Sequence, residues 1–139
     1  TIVAMGEKLW PGTERILGWD MKHDGFGVVL SAQLPMLMRD ELGGAVTGFL
    51  DRQGMDIGEM DGFLFHPGGR KILETVQKVF SLTAADLALS WNVLRDYGNM
   101  SAASVLFVLN EALAGKHRGR HFMTAFGPGF SAFFMVLDL

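Results

Sequence analysis

Apolar residues along this chain switch between a period of two and a period near 3.6, and each switch marks an element boundary. Thr1 to Leu9 mixes β-branched and apolar residues with no capping residue, which predicts a strand entered near its beginning. A start inside an element suggests truncation or processing. Pro11-Gly12 is a turn signal. Glu14–Asp20 and Gly25–Leu30 read as two short strands of a hairpin around the polar turn Lys22-His23-Asp24. From Leu34 the period changes: Leu34, Met38, Leu42, Ala45, Val46 and Phe49 share one helical face, with Pro35 tolerated in the first turn and an end near Gln53-Gly54.

Gly62-Phe63-Leu64-Phe65 is continuously apolar, the mark of a strand buried on both faces, and it stops at His66-Pro67-Gly68-Gly69. A second helix carries the stripe Ile72, Val76, Val79 and Phe80. Ser81-Leu82-Thr83 breaks it, and Thr83 is placed to cap a short third helix running through Leu89. Asp96 to Asn99 reads as a turn before a fourth helix, Met100 to Ala114, closed by Gly115. That helix is apolar nearly all round and is expected to be central. Strands near His121–Phe126 and Phe130–Leu137 finish the chain, joined by Gly127-Pro128-Gly129, and the last is apolar on both faces. The fold class is α/β, a layered mixed β-sheet covered by helices, with no linker or second boundary within residues 1–139.

Composition narrows the class. A length of 139 residues suits one domain or one half of a larger one, and 49% hydrophobic residues can bury surface beyond a private core. The formal charge of −3 gives no general attraction to nucleic acid or anionic membranes. Lys116, His117, Arg118, Arg120 and His121 crowd together in what reads as a solvated loop. His117 and His121 are four apart, which suits a metal pair only on a helix, and Gly119 between them opposes one; no metal site is assigned. The absence of cysteine excludes disulfides and thiolate metal sites. No signal peptide is recognised and no apolar run approaches a membrane span, so the expected location is the cytoplasm.

Two residues stand where chemistry is commonly placed. His66 ends a buried strand and opens a glycine-rich turn, where Gly68 and Gly69 allow close backbone approach and the following helix N-terminus favours an anion. Taken alone, a histidine that plugs a strand end explains it at least as well. Asn99 precedes a helix and is a natural N-cap. Yet Gly98 and the small residues Ser101, Ala102, Ala103 and Ser104 let that helix end approach something closely, and an uncharged amide donor suits an oxyanion. Gly127-Pro128-Gly129 alone is a hairpin turn.

Three strings in order carry more information than any single residue. They are His66-Pro67-Gly68-Gly69-Arg70-Lys71-Ile72-Leu73, Asp96-Tyr97-Gly98-Asn99-Met100-Ser101-Ala102-Ala103-Ser104-Val105-Leu106-Phe107, and Phe126-Gly127-Pro128-Gly129-Phe130. Together they resemble the C-terminal half of type III polyketide synthases, the chalcone and stilbene synthase family in its bacterial form, over essentially the whole chain. The resemblance implies a thiolase-like half and a Cys-His-Asn triad, of which His66 and Asn99 are two members. The nucleophilic cysteine would lie on an N-terminal half absent from this chain. It further implies decarboxylative Claisen condensation of malonyl-CoA onto an acyl-CoA starter, with coenzyme A thioesters as substrates, no metal or redox cofactor, and a homodimer.

Softer positions follow from the same resemblance. Lys71 falls where the family contacts coenzyme A, and Ser101 and Gly127-Pro128-Gly129 fall where it shapes the elongation cavity. Val28 stands where plant members carry a gatekeeper Phe, and Trp19 where plant chalcone synthases have glycine. A smaller gate implies room for a bulky or long acyl chain, whereas the Trp would occupy cyclisation space. The alternatives are a β-ketoacyl-ACP synthase III-like half, which shares the His and the Gly-Asn helix start but not His-Pro-Gly-Gly, and a non-catalytic CoA-binding fragment.

Overall fold

A computed structural model describes residues 1–139. Its main sheet has four strands in the order β1 (Ile2–Leu9), β6 (Ser131–Asp138), β5 (Arg120–Gly127) and β4 (Gly62–Phe65). β5 pairs in parallel with β4 and antiparallel with β6, which in turn pairs antiparallel with β1, so the sheet is mixed as expected. A separate hairpin, β2 (Leu17–Lys22) with β3 (Gly25–Leu30), stands beside it. The helices are α1 (Leu34–Asp51), α2 (Arg70–Phe80), α3 (Ala88–Tyr97) and α4 (Ala103–Ala114), with one 3₁₀ turn at Ile57–Glu59.

The apolar runs of β4, β5 and β6 are explained by two cores on opposite faces. Phe65, Phe122, Phe134 and Val136 point to the larger one, against Leu42, Val46 and Phe49 of α1 and Leu73 and Val76 of α2. Their strand neighbours Leu64, Met123 and Leu137 point the other way, to Val93 of α3 and Val105, Val108 and Ala112 of α4. Alternation within a doubly covered sheet thus reads in sequence as unbroken hydrophobicity.

The last two helices depart from expectation. Thr83 does form a reciprocal capping arrangement: its N–H and hydroxyl both donate to Asp86 Oδ2 (2.7 Å each), while the Asp86 N–H returns to Thr83 Oγ1. The turn it opens does not become the third helix, which begins at Ala88 and continues to Tyr97, where Gly98 at φ 72° ends it. Residues 96 and 97 are therefore helical rather than part of a turn. The fourth helix starts at Ala103, three residues later than the apolar pattern suggests, because side chains capture the backbone donors before it. Ser104 Oγ accepts the Met100 N–H (2.7 Å), and Asn99 Oδ1 accepts the Ser101 N–H (2.8 Å). Asn99 forms an Asx turn ahead of the helix and is not its N-cap.

Nor is α4 enclosed on every side. Leu106, Phe107 and Leu113 are exposed, as are Val3 and Met5 of β1 and Phe133 of β6. Only α3 and α4 lie on that face, so they cover β4, β5 and the Leu137 end of β6 and leave Phe133 and β1 bare.

Phe49 ties α1 to the sheet: its ring meets Phe134 at 5.5 Å and fills the space a Cβ on Gly6 would need. Phe49→Ala is expected to lower unfolding stability by about 3–5 kcal/mol in denaturant titration.

Candidate functional site

The site assembles at the C-terminal end of β4. The His66 N–H donates to the Thr124 carbonyl (2.9 Å), so β5 still holds the backbone at the point where the strand stops. The Gly68 N–H then turns back onto the His66 carbonyl (2.9 Å). Gly69, at φ 145° and ψ 166°, adopts a backbone conformation essentially closed to other residues and opens α2. Asn99 arrives from the end of α3, and its Nδ2 donates to the Gly68 carbonyl at 3.0 Å. With Oδ1 committed to the Ser101 N–H, the amide orientation is fixed and one Nδ2 hydrogen remains for a ligand.

His66 is buried and meets the edge of Phe126 at a centroid distance of 6.3 Å. Its Nδ1 is enclosed without a hydrogen-bond partner, and Nε2 lies on the Gly68 side. Burial pushes the imidazole pKa below its ordinary 6.5, which leaves the ring neutral at pH 7 with a single N–H.

A cavity of about 280 Å³ opens in front of these groups. His66, Gly68, Asn99 and Ser101 give it a polar lining; Trp19 and Val28 line it from the hairpin, and Gly127 and Pro128 from the loop between β5 and β6. Trp19 and Val28 face one another across the hairpin, with Leu17 and Leu30 on the next rung of the same face. The structure thus brings together eight of the sequence-assigned positions, from elements spread across the chain. Three remain off the cavity wall: Gly69 in the turn, Gly129 behind Pro128, and Lys71, exposed in the first turn of α2. Ser101 holds a left-handed backbone at φ 59°, uncommon outside glycine, beside the cavity.

Other wall residues were not singled out from the sequence as part of a site. Leu17 and Leu30 alternate in phase with Trp19 and Val28, which was their readable signal. Gly18 had none: it is buried, and a Cβ there would overlap the Glu14 carbonyl. At the far end of β4, His121 is buried beside Gly62 with Nδ1 3.0 Å from the Gly119 carbonyl, and its ring lies 5.9 Å from that of His117.

A model of the chalcone and stilbene synthases, C-terminal domain, matches residues 1–138. The chain is 38% identical over 140 residues to 1,3,6,8-tetrahydroxynaphthalene synthase of Streptomyces peucetius subsp. caesius, covering 98% of this chain and 37% of that protein. It is 32% identical over 136 residues to an alpha-pyrone synthesis polyketide synthase-like protein of Mycobacterium tuberculosis, covering 95% of this chain and 35% of that protein. It superposes on the 1,3,6,8-tetrahydroxynaphthalene synthase of Streptomyces coelicolor, a bacterial type III polyketide synthase, with a TM-score of 0.90 at 27% identity, over 98% of this chain and 40% of that one. A second match is PKS-I of the brown alga Ectocarpus siliculosus, with a TM-score of 0.89 at 32% identity, over 99% of this chain and 38% of that one. The chain spans little more than a third of these relatives' length. The architecture is the thiolase-like one of type III polyketide synthases, as the sequence implied.

The buried imidazole sets a pH dependence. A histidine whose folded pKa is depressed binds fewer protons folded than unfolded, so its contribution to stability falls as pH drops through about 6.5. Denaturant titrations of the chain and of His66→Gln should therefore converge, or cross in favour of the variant, between pH 7 and pH 5. A difference constant across that range would contradict the neutral buried ring.

Proposed function

Because this chain belongs to the chalcone and stilbene synthase family, as a C-terminal domain of it, we propose that it is part of a type III polyketide synthase. The reaction is decarboxylative Claisen condensation of malonyl-CoA onto an acyl-CoA starter. The observation that carries this reading is that His66 and Asn99, 33 positions apart, share one wall of one cavity and are tied through Gly68. A neutral imidazole N–H and the spare Asn99 amide hydrogen are uncharged donors in a largely apolar enclosure, the arrangement that stabilises an oxyanion without repelling it.

The malonyl carboxylate leaves as CO₂, and the electron pair of the broken C–C bond becomes an enolate whose oxygen the two donors hold. The enolate carbon attacks the carbonyl of an acyl group held as a thioester, a new C–C bond forms, and the thiolate departs. That thiolate belongs to a cysteine of an N-terminal half, since this chain has none. By itself the chain is inactive in condensation.

The remaining roles follow the same reading. The Trp19–Val28 rung and its leucine neighbours take the acyl chain. Lys71, exposed in the first turn of α2, contacts coenzyme A. The exposed apolar side chains of Met5 and Phe133, on the uncovered part of the sheet, meet the N-terminal half. No helix is long and apolar enough to cross a membrane. On the family reading the whole enzyme is a cytoplasmic homodimer.

In the full-length protein, His66→Ala and Asn99→Ala should each lower malonyl-CoA decarboxylation by about 10²–10³, as for loss of one oxyanion donor. Full activity in well-folded forms of both variants would sink the assignment. Lys71→Ala should instead raise KM for malonyl-CoA roughly tenfold, the loss of one charged hydrogen bond, with kcat little changed.

A further inference from the structure

Ser90 is a polar residue in the middle of an apolar interface. It lies on α3, fully buried, one turn before Val93, on the face turned to β4. Its hydroxyl donates to the Phe65 carbonyl at 2.8 Å, across 25 positions of sequence. β4 is an edge strand, so one side of its backbone has no neighbouring strand, and Phe65 is its last residue.

The Phe65 carbonyl and the His66 N–H belong to one peptide unit, which is planar and stiff. Ser90 grips its oxygen from α3, and Thr124 of β5 accepts from its nitrogen at 2.9 Å. The plane from which the His66 side chain departs is therefore held from two directions. Eight residues after Ser90 the same helix gives way to Gly98 and Asn99, and Asn99 bonds the carbonyl of Gly68, two residues beyond His66. The path from Ser90 through Phe65, His66, Pro67, Gly68 and Asn99, and back along α3, is a closed ring with only two hydrogen bonds in it. α3 is the rigid side of that ring.

We infer that Ser90 is a positioning residue: through the Phe65 carbonyl it fixes where the His66 ring stands relative to the Asn99 amide. The inference rests on the reading of His66 and Asn99 as paired donors. Without the Ser90 hydroxyl, α3 holds Asn99 but no longer holds the peptide that carries His66, and the two donors lose their common frame. Sub-ångström errors of placement at such a pair are felt in the chemical step more than in binding.

The test uses the full-length protein with Ser90→Ala and Ser90→Thr, the second keeping the hydroxyl. Malonyl-CoA decarboxylation is measured as kcat per acyl group loaded, which counts only competent sites, together with KM. Ser90→Ala should lower kcat per loaded site by roughly ten- to a hundredfold with KM little changed, and Ser90→Thr should restore most of it. In an Asn99→Ala background the Ser90→Ala loss should shrink, because the partner whose separation it fixes is gone.

A purely structural serine would reduce the number of loadable sites and leave each at full rate; that result overturns the inference. So does an equal loss in the Ala and Thr variants, or a Ser90→Ala factor that repeats undiminished without Asn99. If His66→Ala and Asn99→Ala themselves left decarboxylation intact, the reading of the site would fall, and this inference with it.

Discussion

A four-residue strand, Gly62–Phe65, is buried from two sides at once, and the other layers are arranged around that fact. Burying both faces demands a core on each, which is why α1 and α2 pack on one side and α3 and α4 on the other. It also demands an abrupt exit, because an apolar strand cannot continue into solvent. The exit is His66-Pro67-Gly68-Gly69, where proline and a glycine in a restricted conformation turn the chain into α2 within four residues. The sheet thus fixes the backbone up to the residue that bears the imidazole, and the turn leaves that residue facing a cavity.

The electrostatics of the site follow from the same burial. The larger core reaches the strand end, so His66 sits among Phe126 and other apolar groups and disfavours its charged form. A neutral ring is a donor that does not have to surrender a strong hydration shell when a substrate arrives. Asn99 reaches the same end by another route. It stays accessible, but both ends of its amide are engaged with backbone, so little rotational freedom remains to be lost on binding.

The sheet, the hairpin and the first two helices were legible because period and burial agree there. The two-faced strands β4 and β6 announced a doubly covered sheet through their unbroken apolar runs. What escaped were the places where a short polar side chain competes with the helix for backbone donors. Thr83 with Asp86, and Asn99 with Ser104, use the same chemistry that caps helices, but here they hold a turn ahead of one, and local sequence does not separate the two outcomes. The pairing of His66 with Asn99 is a tertiary fact, visible beforehand only through the resemblance of the surrounding strings. Ser90 looked like any small residue of an amphipathic helix, because nothing in its neighbourhood reveals that it meets a strand end 25 positions away.

The hairpin β2–β3 is hydrogen-bonded to no strand of the main sheet, yet it lines the same cavity as His66 and Asn99. Its anchors to the rest of the chain are few backbone bonds, among them Gly129 N–H to the Leu17 carbonyl at 2.7 Å. Side chains on its outer rungs can consequently be exchanged with little penalty to folding, since the cores that stabilise the molecule lie elsewhere. Polar geometry and cavity shape are thereby carried by separate pieces of the fold: a floor pinned to the main sheet through His66, and a hairpin wall whose side chains can change without disturbing that floor.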